Sequence, residues 1–153
     1  MDKTTDTVPL WRRLAAASYD ALVVAALWFI ATAIAMPLSR GAITPDHPLA
    51  ELIYRSYILT VGFLFFGGFW VRNGQTLGML AWRVKVVQAG SRARITWTQA
   101  LIRYLVAYVS WIPAGLGFWW SLWDKDGKTW HDRLSGTELR HAESFTVISN
   151  RPG

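Results

Sequence analysis

The 153-residue chain contains no cysteine. That absence excludes a disulfide framework, a zinc–thiolate scaffold and a thiol nucleophile, and it fits any redox compartment. Charge is also scarce: Asp, Glu, Lys and Arg make up 17% of the chain, against ~25% in an average soluble domain. With 52% hydrophobic residues, the chain has too much apolar mass for intrinsic disorder. His-Glu-x-x-His, Gly-x-Ser-x-Gly and Gly-rich phosphate loops are missing. His47 and His141 read as exposed loop residues, and His131 beside Asp132 is too thin a constellation for a general base. The sequence therefore points away from an enzyme, with no catalytic residue, no metal ligand set and no cofactor. Its length fits one domain.

What is abundant is apolar and aromatic. Ten Trp accompany three long hydrophobic blocks: Leu14 to Met36 with one charge (Asp20), Leu52 to Val71 with one (Arg55), and Thr98 to Trp123 with one (Arg103). A helix needs ~20 apolar residues to cross a ~30 Å bilayer core at ~1.5 Å per residue. All three blocks reach that length, so the expected fold is an all-α membrane protein with three transmembrane helices. Ala33-Ile34-Ala35 resembles a signal-peptidase site, but the first block exceeds a ~7–15-residue signal core, and Asp20 would interrupt it. Trp11, Trp70, Trp97, Trp119, Trp120 and Trp123 sit near block ends, where indole rings favour the headgroup level. Trp28 and Trp111 read as packing residues.

Cation placement predicts orientation. Lys3, Arg12 and Arg13 precede the first block, and Arg72, Arg83, Lys85, Arg92 and Arg94 fill the loop from 72 to 97 without an acid. The segment from 39 to 51 carries only Arg40, beside Asp46 and Glu51. By the positive-inside rule, the N-terminus and the basic loop are cytoplasmic. The net charge of +6 is then an orientation signal, and nucleic acid is not a predicted partner; anionic lipid at the basic loop is. The C-terminal cations Lys125, Lys128, Arg133 and Arg140 also favour the inside, whereas three full spans would leave them outside. Pro113, Gly115 and Gly117 offer a resolution, a Pro-broken or re-entrant third block; a full span is the favoured expectation. Within the basic loop, Arg83 to Val87 and Ala93 to Trp97 read as two short strands about a turn at Ala89-Gly90-Ser91, a β-hairpin on the membrane surface. The organisation is thus residues 1–11 as a cytoplasmic segment, 12–140 as the membrane domain and 141–153 as a flexible tail.

Charges inside a membrane cost ~2.5–3.5 kcal/mol on insertion scales and are usually paired or functional. Asp20 lies about 9 Å and Arg103 about 7.5 Å into their blocks from the same side, at ~1.5 Å per residue, which predicts an Asp20–Arg103 pair. Arg13 shares a helix face with Asp20, but an axial gap of about 10 Å separates them. Arg13 therefore either snorkels to the interface or meets the tail or another helix. The set is either a packing ion pair or a titrating carboxylate that binds a proton or cation. Ala17, Ala21 and Ala25 form a small-residue seam, and Gly62, Gly67 and Gly68 offer close helix approach. Arg55 snorkels outward.

These residues form a recognisable set, which resembles the RDD family of small bacterial membrane proteins, named for one Arg and two Asp. Arg13-Leu14-x-Ala16 with Asp20 seven residues on is similar to the family's opening motif. Gly74-Gln75-Thr76-Leu77-Gly78 resembles its Gly-x-Thr-x-Gly stretch, and Arg83-x-x-Val86-Val87 the segment after it. Arg103 resembles the Arg that opens the third block. His131-Asp132-x-x-x-Gly136-Thr137 resembles the closing motif, and on that resemblance Asp132 joins the charge-network candidates. The likeness runs from about residue 8 to 140. Met79 departs from a frequent Lys or Arg, and Glu138-Leu139-Arg140 from an apolar strand. The resemblance implies a multi-span inner-membrane protein. Sodium/proton antiport has been proposed for some members, and others occur as accessory parts of larger proteins. Three spans enclose little space, so a pathway would need a homo-oligomer or another membrane subunit.

Overall fold

A computed structural model describes residues 8–39, 43, 47–111 and 129–142. Helix α1 runs Leu10–Ser39 and α2 runs Pro48–Asn73. At ~1.5 Å per residue both exceed the ~30 Å hydrocarbon core, and both are apolar enough to cross it. Their outer faces fit lipid: Leu22, Phe29 and Leu38 are 73%, 76% and 77% exposed. In water each would forfeit roughly 25 cal/mol per Å² of apolar surface left uncovered.

The inward face of α1 is Arg13, Ala16, Asp20, Val24 and Ala31, spaced three, four, four and seven residues apart, the stripe of one helix side. Trp28 Nε1 donates to Ile58 O at 3.1 Å, and Thr32 Oγ1 pairs with the Tyr54 hydroxyl at 2.7 Å. As the α1 position rises, the α2 position falls, so the helices are antiparallel. The α2 helix closes at Gly74 (φ +69°), whose N–H donates to Trp70 O. A short helix, α3 (Leu77–Ala81), follows, with Thr76 Oγ1 capping it through Met79 N–H. Strand β1 (Val84–Gln88) leads by a turn to α4 (Trp97–Trp111). An aromatic joint packs α4 on α2: Phe63 lies 5.7 Å from Tyr104 and 6.1 Å from Trp97 between ring centres. Helix α5 (Trp130–Leu134) and strand β2 (Thr137–His141) complete the described chain.

β1 pairs antiparallel with β2, Val84 opposite His141, Val86 opposite Leu139 and Gln88 opposite Thr137. This corrects the expected local hairpin. Gln88 N–H does bond Ala93 O at 2.9 Å, but residues 93–96 form no strand. The apolar face of β1 needs a partner that covers it, and Leu139 supplies one while Arg94 could not. Val84, Val86 and Leu139 are buried together with Trp70, Ile95 and Tyr104.

The pairing also settles the tail. Residues 129–142 lie at the end where α1 begins, α2 ends and α4 starts. Among the described residues α1 and α2 are the helices long and apolar enough to span, and the expected third span is not confirmed. α4 is described for 15 residues, about 22 Å at ~1.5 Å per residue. Pro113, Gly115, Gly117, Trp119, Trp120, Trp123, Lys125 and Lys128 lie outside the described residues. So do Lys3, Arg40, Asp46 and residues 143–153.

Several packing expectations change as well. Gly62 and Gly67 do allow close approach: a Cβ on Gly62 would lie 2.6 Å from the Tyr104 hydroxyl, and one on Gly67 3.2 Å from Trp97. Gly68 meets nothing within 4 Å. In the seam of Ala17, Ala21 and Ala25, Ala17 is half-buried and Ala21 and Ala25 are exposed, so no described helix covers its outer part. Trp70 is buried under Arg103 rather than at a headgroup level. Arg55 is exposed and paired with Glu51 one turn away.

Gly74 tests this architecture. Its carbonyl accepts Val86 N–H at 2.7 Å, so it ties α2 to β1. A Cβ there would lie 2.9 Å from Val86 O at φ +69°. Gly74→Ala should lose about 1–3 kcal/mol from left-handed strain and overpacking, read as a lowered unfolding midpoint in detergent.

Candidate functional site

Two buried carboxylates organise the loop end of the molecule, and they are held by opposite means. Asp132 sits on α5, whose first turn is closed by a capping box: Thr129 N–H donates to Asp132 Oδ2 at 3.2 Å, and Asp132 N–H to Thr129 Oγ1 at 3.4 Å. The cap fixes the carboxylate between two guanidiniums. Arg13 of α1 donates from one Nη to Oδ2 at 2.8 Å, and Arg103 of α4 donates to Oδ1. Arg103 also donates to Thr137 Oγ1 at 2.7 Å, and Arg13 Nε donates to Val8 O at 3.0 Å. Arg13, Arg103 and Asp132 are 7%, 2% and 1% exposed, so the desolvation of three charges must be offset by geometry and added hydrogen bonds. Thr129 and Thr137 supply them.

Asp20 has no cation in hydrogen-bond reach among the described residues. Thr76 Oγ1 donates to its Oδ2, and Gly78 N–H donates to its Oδ1 at 2.8 Å. A Cβ on Gly78 would collide with Ala16 O and lie 2.9 Å from Asp20 Oδ1. Gly78 is therefore the residue that lets the backbone reach the carboxylate.

The expected Asp20–Arg103 pair is thus corrected. Both residues lie on the wall of one cavity, but Arg103 faces Asp132 and Asp20 faces the loop after α2. Of the two placements open for Arg13, the structure takes the meeting with the tail. Asp132, named through resemblance alone, is the centre of the cluster. Thr129 was missed in the sequence, although Thr-x-x-Asp ahead of a short helix is a readable capping box. Gly74, Thr76, Gly78, Gly136 and Thr137 all contribute. Gly136, at φ +62°, turns α5 into β2, and its carbonyl accepts Ala89 N–H at 3.0 Å.

Burial alone would push the Asp132 carboxyl up, but Arg103 foremost, with Arg13, holds it well below the usual carboxylate range. Burial, and then Arg103, hold His131 down to about 3, so it is neutral at neutral pH. Between α1, α2, α4 and α5 lies a 640 Å³ cavity whose wall includes Arg13, Asp20, Arg103 and His131. Among the described residues no cluster of His, Cys, Asp and Glu could hold a metal ion.

The model of the RDD family matches residues 7–136, the stretch that carries all four charged residues. No curated protein and no solved structure matches the chain.

Asp132→Ala should cost about 3–5 kcal/mol, because it strands two buried guanidiniums; unfolding in detergent measures it. His131 gives a pH dependence. Its folded-state pKa lies below its unfolded value of 6.5, so the unfolded chain takes up a proton first as pH falls. Stability is therefore lost from about pH 6.5 towards pH 3, by roughly 2 kcal/mol at pH 5. His131→Gln should flatten that slope, and an unchanged slope would contradict the assignment.

Proposed function

The chain belongs to the RDD family, and on that premise we propose that it is a multi-pass inner-membrane protein in which Asp20 takes up and releases a proton, or exchanges it for a small cation. The observation that carries this reading is the contrast between the two carboxylates. Asp132 is neutralised by two guanidiniums, whereas Asp20 is buried against a hydroxyl and an amide, at a cavity wall, with no cation bonded to it among the described residues. Charge on Asp20 has only neutral donors to support it, so a proton is the simplest means of relieving its burial. Adding that proton alters the bonds to Thr76 and Gly78, and through them the seat of α3 against α1.

Orientation follows from charge. Arg83, Arg92, Arg94 and Arg133 are exposed at the end where α1 begins, and such cations favour the cytoplasmic face and anionic lipid. A continuous pathway needs more wall than these helices provide, which a second copy or another membrane subunit would supply.

The alternative is a non-transporting scaffold or accessory subunit. The Arg13–Asp132–Arg103 cluster favours it, because that cluster joins α1, α4 and the tail.

Proteoliposomes with an internal pH dye separate the two. Wild-type protein should give sodium- or pH-driven proton flux. Asp20→Asn, which still accepts from Thr76 or Gly78, should abolish flux and leave the unfolding midpoint within about 1–2 kcal/mol of wild type. Flux that survives Asp20→Asn, or no flux from stable wild-type protein, sinks the proton reading and leaves the scaffold.

A further inference from the structure

We propose that the cavity between α1, α2 and α4 takes a small hydrophobic organic cation, its ammonium at Asp20 and its apolar body among Trp28, Phe66, Tyr104 and Tyr108. The inference rests on the reading of Asp20 as a carboxylate open to a cation, and it names that cation as an organic amine rather than a metal ion.

Three observations carry it. The first is the charge on the wall. Asp20 lies on it, and its two oxygens accept one bond each, from the Thr76 hydroxyl and the Gly78 amide. A carboxylate offers about four lone-pair sites, so acceptor capacity is left for an ammonium. The other charged groups on that wall, among the described residues, are Arg13 and Arg103, and both donate to Asp132. They stand at the loop end. Arg13 precedes Asp20 by seven residues of α1, about 10 Å along the axis at ~1.5 Å per residue, and Asp132 holds Arg103 beside it. His131, also on the wall, is neutral at neutral pH. Beyond Asp20 the described wall carries no charge.

The second is aromatic surface. Trp28 Nε1 donates to Ile58 O and the Tyr104 hydroxyl to Leu59 O, each at 3.1 Å. Their polar ends are thus satisfied by α2, and what remains for the cavity is ring. Phe66 lies 6.1 Å from Tyr104 between ring centres, and Tyr108 follows Tyr104 by one turn of α4. Cations are stabilised over aromatic faces within about 6 Å, a pairing this protein already makes at Arg103 over Trp70, at 5.2 Å. An inorganic cation would find one acid here, since among the described residues no cluster of His, Cys, Asp and Glu could hold a metal ion. An apolar amine finds a partner for its charge and another for its body.

The third is size and access. At 640 Å³ the cavity falls in the ~300–1,000 Å³ range of small-molecule sites. Ala21 of α1 and Tyr108 of α4 line it and are also exposed, so it opens sideways between these two helices, on the side where lipid surrounds them. An amine with an apolar body dissolves in that layer and reaches the opening from it. A phospholipid would bring a phosphate to Asp20.

Isothermal titration calorimetry of the detergent-solubilised full chain tests this with three probes that share one body: phenylbutylammonium, phenylbutanol and phenylbutyrate. The ammonium should bind about tenfold more tightly than the alcohol, and the carboxylate more weakly than both. Asp20→Asn should remove the preference, leaving ammonium and alcohol within about twofold of each other. Ala107→Phe fills the cavity from α4, leaves Asp20 in place and should abolish binding of all three; it carries the test if Asp20→Asn fails to fold. Equal binding of ammonium and alcohol to the wild type, a preference that survives Asp20→Asn, or binding unchanged by Ala107→Phe would overturn the proposal. So would displacement of the amine by phosphatidylethanolamine at equal concentration, which would make the occupant a lipid head. Asp20-dependent proton flux without an ammonium preference sinks this inference alone. Asp20-dependent ammonium binding without flux upholds it and sinks proton transport alone.

Discussion

Everything at the loop end of this molecule hangs on one carboxylate shared by two guanidiniums. Asp132 reaches Arg13 with one oxygen and Arg103 with the other. The three residues come from the first helix, the fourth helix and the tail, so a single acid fixes three segments distant in sequence. Isolated charges at such burial would be prohibitive. They are tolerated here because the capping box of α5, the Thr137 hydroxyl and the Val8 carbonyl occupy the bonding positions that water would otherwise fill. The strand pair then follows. With α5 anchored, Gly136 turns the chain so that β2 lies along β1 and covers its valine face.

The second acid does different work. Asp20 is exposed to no more water than Asp132 in any sense that matters, at 3% against 1%, yet its supports are neutral. It ties α1 to the Gly74–Gly78 turn, where the residue types divide the labour. Gly74 ends α2, Thr76 caps α3 and bonds the acid, and Gly78 brings its amide within reach. The two acids thus differ in kind, one paired with two guanidiniums and the other bonded to a hydroxyl and an amide, and Asp20 lies on the cavity wall together with Arg13 and Arg103.

Much of this was legible in the sequence. Block lengths gave α1 and α2 to within four residues, because twenty or more consecutive apolar residues admit few other structures. Single charges in apolar blocks marked Asp20 and Arg103, since each had to be accounted for. Their partners were not legible. Helix rise gives depth, but direction around the helix axis depends on packing that the linear pattern of α4 does not encode. β1 was placed correctly and mispaired, because strand propensity is local while its true partner lies some fifty residues on. The Asp132 cluster escaped composition and periodicity altogether: the tail reads as a mixed-charge surface until the capping box is seen to bury it. Family resemblance supplied that residue.

The central claim is that the tail returns to the end where α1 and α4 begin, and that the β1–β2 pairing holds Asp132 there. The absence of native cysteine makes this directly measurable. Lys85 and Arg140 face each other across the two strands, and directly opposed strand residues lie within about 5.5 Å between Cα atoms, close enough for a disulfide. The double variant Lys85→Cys/Arg140→Cys, oxidised in native membranes, should form an intramolecular cross-link in high yield, while Lys85→Cys/Leu49→Cys, joining opposite ends of the bundle, should form none. Failure of the first pair to cross-link, with positions 85 and 140 labelled by an impermeant thiol reagent from opposite faces of sealed vesicles, would contradict the account.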